Sequence, residues 1–360
     1  MAQQSEDCFF SIIVIVYNGE KTIERCISSV LKQSFRNFEL VIINDGSTDK
    51  TENICRAAAL KDKRVRLFTK ENGGPLRARI FGAEHSCGKY VLFADADDHY
   101  IDNDCLRKIY NYLQEDTYDL IQFGYEEQYN HLKKLNRHRL SQPLRCDQNQ
   151  FSNDEYPALL CNGIPSNLKG YVWNKAYSRK LFDCMQAYDT YEKVFWEDDL
   201  ILNMQLLRNC KNVLYVPDKL YRYYQSSGMT NRFNPNTMRD LDYVKGWQYK
   251  YLGLYNGSVE KKKILRFQCA EIAAWFQLYV NDALANMPEE EVYKLIEESL
   301  GWDSFVRARN YFLENPEDWN AVKLLTKSDP RKYILEAQKA SEVPIKDKVK
   351  NMIKGIYKTI

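Results

Sequence analysis

The residues best suited to chemistry are two short acidic clusters. Asp95, Asp97 and Asp98 stand in the string ADADD, and Glu197, Asp198 and Asp199 in WEDD. Two carboxylates on a tight turn offer hard oxygen ligands that suit Mg²⁺ or Mn²⁺ bridging a diphosphate. An isolated Asp-x-Asp is more often a solvated turn or a helix cap. Here it follows the apolar run at 90–94, which puts its charge at the mouth of a buried strand, where an uncompensated carboxylate is costly. In the second cluster one carboxylate is chemically enough for a general base taking a proton from a hydroxyl nucleophile. The same string also suits the acidic first turn of a helix over DDLILNMQLL.

Such groups work only when a rigid frame holds them. β-branched apolar runs occupy 9–16, 38–44, 65–69 and 90–94, with amphipathic segments between them. Each run suits a strand buried on both faces, and the alternation predicts βαβ units, an α/β fold with a mostly parallel sheet. Ile23, Ile27, Val30 and Leu31 share one helical face, and a second helix is expected to start near Ser47 or Thr48, both good N-caps. Ligands on such sheets gather at the carboxyl ends of strands. Those ends carry Tyr17-Asn18, Asn44-Asp45-Gly46-Ser47, Gly73-Gly74 and Asp95-Ala96-Asp97-Asp98. Beyond Asp119 the pattern loosens, with a loop or insertion expected at 130–170, and from 237 onward long stretches read as helices.

Composition excludes several classes. The 360 residues are 44% hydrophobic, enough for a sizeable core, and 51 basic against 49 acidic groups leave +2, which argues against a dedicated nucleic-acid binder. Ten cysteines include no CxxC, and the closest pair is Cys146 and Cys161, which argues against structural zinc and thioredoxin-type sites. With no basic region before an apolar stretch and no apolar run of about 18 residues, a cytoplasmic protein is expected. The tail at 343–360 carries five lysines and one aspartate, a net +4, so the rest of the chain is −2. In it Ile345, Val349, Met352, Ile353, Ile356 and Ile360 repeat at helical spacing. Such a basic amphipathic segment suits an anionic membrane surface, docking on the protein itself, or a homo-oligomer contact.

Taken together, SIIVIVYNGEKTIERCISSVLKQSF, FELVIINDGSTDKT, ENGGPLRARIFGAEHSCGKYVLFADADD, YVWNKAYSRKLF, FWEDDLILNMQLL and LYRYYQSSGMT resemble glycosyltransferase family 2. The likeness runs from about Ser11 to Thr230 and implies a GT-A fold, a Rossmann-like sheet flanked by helices, with a C-terminal helical extension. It implies a GT-A domain over 1–236, divided into a nucleotide-binding half at 1–125 and an acceptor half at 126–236. A helical region at 237–342 and the tail at 343–360 follow.

Carried over residue by residue, the likeness gives Val16 and Tyr17 to the nucleobase pocket and makes Asp45 an acceptor for the uracil imide N–H, a role open to a carboxylate. NDGS equally suits an Asx-turn. Arg79 would lie near the diphosphate or nucleotide, or else be a surface helix charge. Asp95 would serve the ribose or the metal shell, Asp97 would ligate Mn²⁺ or Mg²⁺, and Asp98 would support either or cap the next helix. Asp198, following Glu197, would be the catalytic base. Trp173 and Trp196 would stack on a sugar ring or simply pack, Asn174 and Lys175 would hold sugar hydroxyls or act as support, Glu197 would stand with them at the donor or acceptor sugar, and Ser227 and Thr230 would close over the diphosphate. The chain departs from the family pattern at Ile15, Asn44 and Ile80, where Pro, Asp and Asn are common.

The implied reaction is a metal-dependent, inverting hexosyl transfer from a UDP-sugar to a hydroxyl of a saccharide acceptor. The likeness is to enzymes of bacterial surface-polysaccharide assembly, which suggests a lipid-linked acceptor and a peripheral place at the inner face of the plasma membrane. Two alternatives are a membrane-associated scaffold without catalysis and a nucleotidyltransferase. The latter should carry a Gly-rich phosphate loop with Lys or Arg near its start, and SIIVIVYNGE has none.

Overall fold

The computed structural model describes residues 8–129, 133–136, 140–161, 166–224 and 234–315. The chain divides into two compact units, Met1–Ser152 with Asn167–Met229, and Asn153–Ser166 with Thr230–Ile360. The segment 153–166 joins the second unit although it is flanked in sequence by the first.

In the first unit, β1 (Phe10–Val16), β2 (Phe38–Asn44), β3 (Val65–Thr69) and β4 (Tyr90–Asp95) are all parallel, in the order β3-β2-β1-β4. These are the four apolar runs, each within one residue of its expected span. Between them lie α1 (Ile23–Leu31), α2 (Thr51–Lys61) and α3 (Pro75–Glu84). Buried Ile23, Cys26, Ile27 and Val30 recur at the spacing that turns one helical face inward. In α3, Pro75 occupies the first turn, where its missing N–H costs nothing, directly after Gly74 at φ +86, a conformation natural to glycine.

After β4 come β5 (His99–Tyr100), α4 (Cys105–Glu115), β6 (Leu120–Tyr129), β7 (Lys133–Asn136), β8 (Leu144–Cys146) and α5 (Gln148–Gln150). Next are α6 (Pro157–Leu160), which belongs to the second unit, β9 (Lys175–Ser178), α7 (Asp198–Leu207) and β10 (Val213–Tyr224). The sheet continues β4-β9-β6-β10-β5; β9 is antiparallel to both β4 and β6, and β6 and β10 run parallel. The sheet is thus a mixed one built on a parallel half. A core of Phe10, Ile12, Val14, Leu40, Ile42, Leu92 and Tyr90 fills one of its faces.

The expected start of the second helix near Ser47 or Thr48 is corrected to Thr51. The side chains that would cap it are engaged elsewhere: Asn18 N–H donates to Ser47 Oγ at 2.9 Å, and Thr48 N–H and hydroxyl both donate to Asn18 Oδ1. The 130–170 stretch is not one loop, since it contains β7, β8, α5 and α6.

The second unit is helical: α6 with α8 (Thr237–Leu254), α9 (Lys261–Asn286), α10 (Glu289–Ser299) and α11 (Asp303–Glu314). Gln248 and Gln268 donate to the carbonyls of Leu159 and Leu160, which fixes α6 among these helices. Buried Lys245 is answered by Glu271 at 2.8 Å and Gln248 at 2.7 Å, as a buried ammonium requires. Among the described residues no helix is long and apolar enough to cross a membrane. The tail at 343–360 lies outside the described residues.

Candidate active site

The carboxyl ends of β1 to β4 are laced to one another. Beyond buried Val16, Tyr17 is 51% exposed, and Asn18 at φ +50 turns the chain so that its side chain meets the loop after β2. At that second end Asp45 is buried and accepts from the N–H groups of Gly73 and Gly74 at 2.9 Å each and from Lys70 Nζ at 2.6 Å. It therefore braces the third strand end against the second. Asn44 accepts from Ser47 N–H, the Asx-type turn that NDGS suits.

The fourth end joins the second acidic cluster through Arg79. This guanidinium projects from α3, is 5% exposed and meets three carboxylates. Its two terminal nitrogens reach Asp95 Oδ1 at 2.9 Å, Asp199 Oδ1 at 3.0 Å and, by a hydrogen bond, Asp198 Oδ2. Asp198 and Asp199 open α7, a helix buried along almost its whole length, whose polar Asn203 and Gln205 accept from the hydroxyls of Tyr177 and Tyr191 at 2.7 Å. Glu197 precedes it at φ +52, in the left-handed region that is unfavourable for a side chain of this size. Two carboxylate-bearing elements far apart in sequence are thereby fixed on one cation.

Charge decides the protonation. Three carboxylates face one guanidinium, so full ionisation would leave excess negative charge in a buried place. Burial pushes Asp198 up to about 7, with Arg79 opposing and Asp199 and Asp95 reinforcing the rise. Asp199 is raised too, again by burial first. Burial depresses Arg79, but the attraction of Asp198, Asp199 and Asp95 outweighs it and raises Arg79 well above its usual range. A carboxyl whose affinity sits near neutral pH suits a general base. Asp199 has a second task, accepting from Val172 N–H at 3.2 Å.

The rest of ADADD is held from the side. Tyr221 hydroxyl accepts from Asp95 N–H at 2.9 Å, Arg25 donates to the Asp97 carbonyl, and Tyr224 N–H donates to Asp98 Oδ1 at 2.8 Å. Asp98 is fully buried, and burial, then Asp97 and Asp95, raise it well above the carboxylate range. Its Oδ2 is buried without a hydrogen-bond partner among the described residues. Carboxylate oxygens are the hard donors that suit Mg²⁺ or Mn²⁺. Asp97, half-buried at the loop tip, and Asp95 are the residues that would hold it.

Several residues singled out in the sequence are committed to the protein instead. Trp173 is 3% exposed, with the rings of Tyr171, Tyr221 and Tyr223 lying nearly parallel to it. Asn174 is buried and bonds to the Phe123 carbonyl. Lys175 is fully buried and spends its three donors on the carbonyls of Lys169 and Tyr171 and on Asn174 Oδ1. These three residues shape the segment before β9 rather than offering free groups to a sugar. Trp196 is half-buried beside Glu197, and Ile80 is buried. Ser227 and Thr230 lie outside the described residues. Arg25 and Tyr171 were not placed by sequence reasoning, although tyrosine and tryptophan two apart at 171 and 173, and again tyrosines at 221 and 223, carry the period-two signal of a shared face.

Residues 11–185 match the model of the family described as Glycosyl transferase family 2. An uncharacterized glycosyltransferase of Bacillus subtilis (strain 168), EpsJ, is 28% identical over 235 residues, 65% of this chain and 63% of that protein. Glycosyltransferase GlyA of Streptococcus pneumoniae is 26% identical over 230 residues, 62% of this chain and 31% of that protein. The chain thus spans less than two thirds of either relative. Among solved structures, S. aureus TarS 1-349 in complex with UDP-GlcNAc superposes with a TM-score of 0.60 at 19% identity, covering 91% of this chain and 89% of that one. Sheet order, the polar strand ends and the family match agree: residues 11–185 match glycosyltransferase family 2, and the chain has a GT-A fold.

Proposed function

We propose that the protein transfers a sugar from a UDP-sugar donor to a hydroxyl of a saccharide acceptor, with inversion at the anomeric carbon. The observation that carries this reading is the buried Asp198 carboxyl, pushed up to about 7, on the same guanidinium as Asp95 of the strand-end motif. Asp198 takes the acceptor proton as the hydroxyl attacks, so no covalent enzyme intermediate is needed. Arg79 fixes its direction and tempers its affinity. Tyr17, exposed beside the β1 end, offers a ring to the nucleobase, and the remaining lone pair on Asp45 Oδ2 offers an acceptor to its imide. A divalent cation held by Asp97 and Asp95 supplies, when bound, the neutralisation of charge on the departing diphosphate.

That TarS was crystallised with UDP-GlcNAc supports a nucleotide-sugar donor here. The bacterial sources of the relatives and the basic tail support a role in bacterial surface polysaccharide, with an acceptor on a lipid carrier at the inner membrane face. The test is a panel of nucleotide sugars with Mn²⁺ and purified full chain, following UDP release. One donor is expected to stand out, with release abolished by EDTA and restored by added Mn²⁺. Undiminished release after chelation would overturn the metal assignment. For the tail, co-flotation with vesicles containing anionic phosphatidylglycerol is expected for the full chain and lost when 343–360 is removed; equal flotation would refute it.

A further inference from the structure

A ladder of aromatic rings crosses from one acidic cluster to the other. Tyr171 and Trp173 alternate on the segment entering β9, and Tyr221 and Tyr223 alternate on β10, so each pair can share one face. The Tyr171 and Trp173 rings lie 4.8 Å apart at 13°, and Trp173 lies 5.3 Å from Tyr223 at 7° and 5.0 Å from Tyr221 at 15°. Tyr125 closes on Trp173 edge-first at 4.7 Å. The indole is interior, whereas Tyr171 remains 43% exposed.

Both ends of the ladder are tied to acidic residues. At one end the Tyr171 carbonyl accepts from buried Lys175, and the neighbouring Val172 N–H bonds to Asp199, next to the base. At the other, Tyr221 accepts from Asp95 N–H, and the Tyr223 phenol is pushed up by burial and then by Asp98, Asp95 and Asp97. An exposed ring this firmly fixed gives a flat apolar surface with a phenol at its rim. A pyranose suits it, offering C–H groups to the ring face and hydroxyls to the rim. The nucleobase has its own exposed ring, Tyr17, at the β1 end.

We propose that Tyr171 is the platform on which the acceptor saccharide stacks, with Trp173 and Tyr223 as its rigid backing. This rests on the transferase reading above. It gives the attacking hydroxyl a fixed height beside the start of α7, where Asp198 waits one residue from the Asp199 that binds Val172.

The test uses the full chain with Mn²⁺ and UDP. Methyl glycosides of glucose, galactose and N-acetylglucosamine serve as probes in saturation-transfer NMR, and calorimetry follows UDP binding separately. Wild-type protein is expected to bind at least one glycoside, Tyr171→Ala to weaken it about tenfold or more, and Tyr171→Phe, which keeps the ring, to stay within about twofold. UDP affinity should be alike in all three, which a merely structural defect would not leave intact. Equal glycoside binding by Tyr171→Ala, or none by a wild-type protein that binds UDP, would overturn the platform. Failure of the wild type to bind UDP would instead contradict the nucleotide-sugar reading, while the glycoside comparison still decides the role of Tyr171.

Discussion

Arg79 is the residue on which the site turns, because one buried guanidinium answers Asp95, Asp198 and Asp199 together. Replacing it with methionine leaves three carboxyls without their cation and should lower stability by about 3–5 kcal/mol. Arg79→Lys, which keeps the charge but loses the fork, should lose less. Urea unfolding of both variants checks this, and equal stability of Arg79→Met and wild type would contradict the geometry. Asp198 gives a second expectation, in pH. Its folded affinity is raised from 3.8 to about 7, so between those values the folded state holds a proton the unfolded state has released, and the group lowers stability as pH rises. His99 works in the opposite sense over a similar window, since burial lowers it from 6.5 to about 4. The wild-type profile alone is therefore a poor readout. The stability of Asp198→Asn relative to wild type should climb steadily from pH 4 to pH 7, and a flat difference would contradict the raised carboxyl.

At the scale of elements, close strand contact sets what the sequence must supply. A Cβ at Gly88 would lie 2.4 Å from Ser11 N and 2.6 Å from the Phe10 carbonyl carbon, both backbone atoms that cannot step aside. Gly88→Ala should therefore cost about 1–3 kcal/mol, read as a lower urea midpoint; an unchanged midpoint would refute the contact. The strands themselves were legible, because a parallel strand buried on both faces must be apolar throughout, and 38–44 is. The polar ends were legible for the converse reason. What the sequence hid were long-range partners. Nothing local shows that Asp45 would brace Gly73 and Gly74, that Ser47 and Thr48 would serve Asn18 instead of a helix, or that Lys175 would be buried under carbonyls. Hydrogen bonds between loops depend on which strand ends the topology brings side by side, and periodicity carries no trace of that.

Over the whole molecule, the near-neutral +2 hides an uneven distribution, +4 in the tail against −2 elsewhere. Carboxylates gather at the carboxyl ends of the parallel strands and at the start of α7, where the proposed function puts a cation and a nucleotide sugar. A general base contributes about 10²–10⁴-fold, so Asp198→Asn should retain UDP binding while losing roughly 10³-fold in turnover. Wild-type activity should rise with pH as the carboxyl ionises through about 7. The most direct measurement is UDP release by wild type and Asp198→Asn, with the preferred nucleotide sugar, Mn²⁺ and a saccharide acceptor, from pH 5 to pH 9. The expected result is a wild-type rate that rises with an apparent pKa near neutrality and a folded, UDP-binding variant that is nearly inactive across the range. A variant as active as wild type, with the same pH profile, would contradict the assignment of Asp198 as the base and with it the central claim.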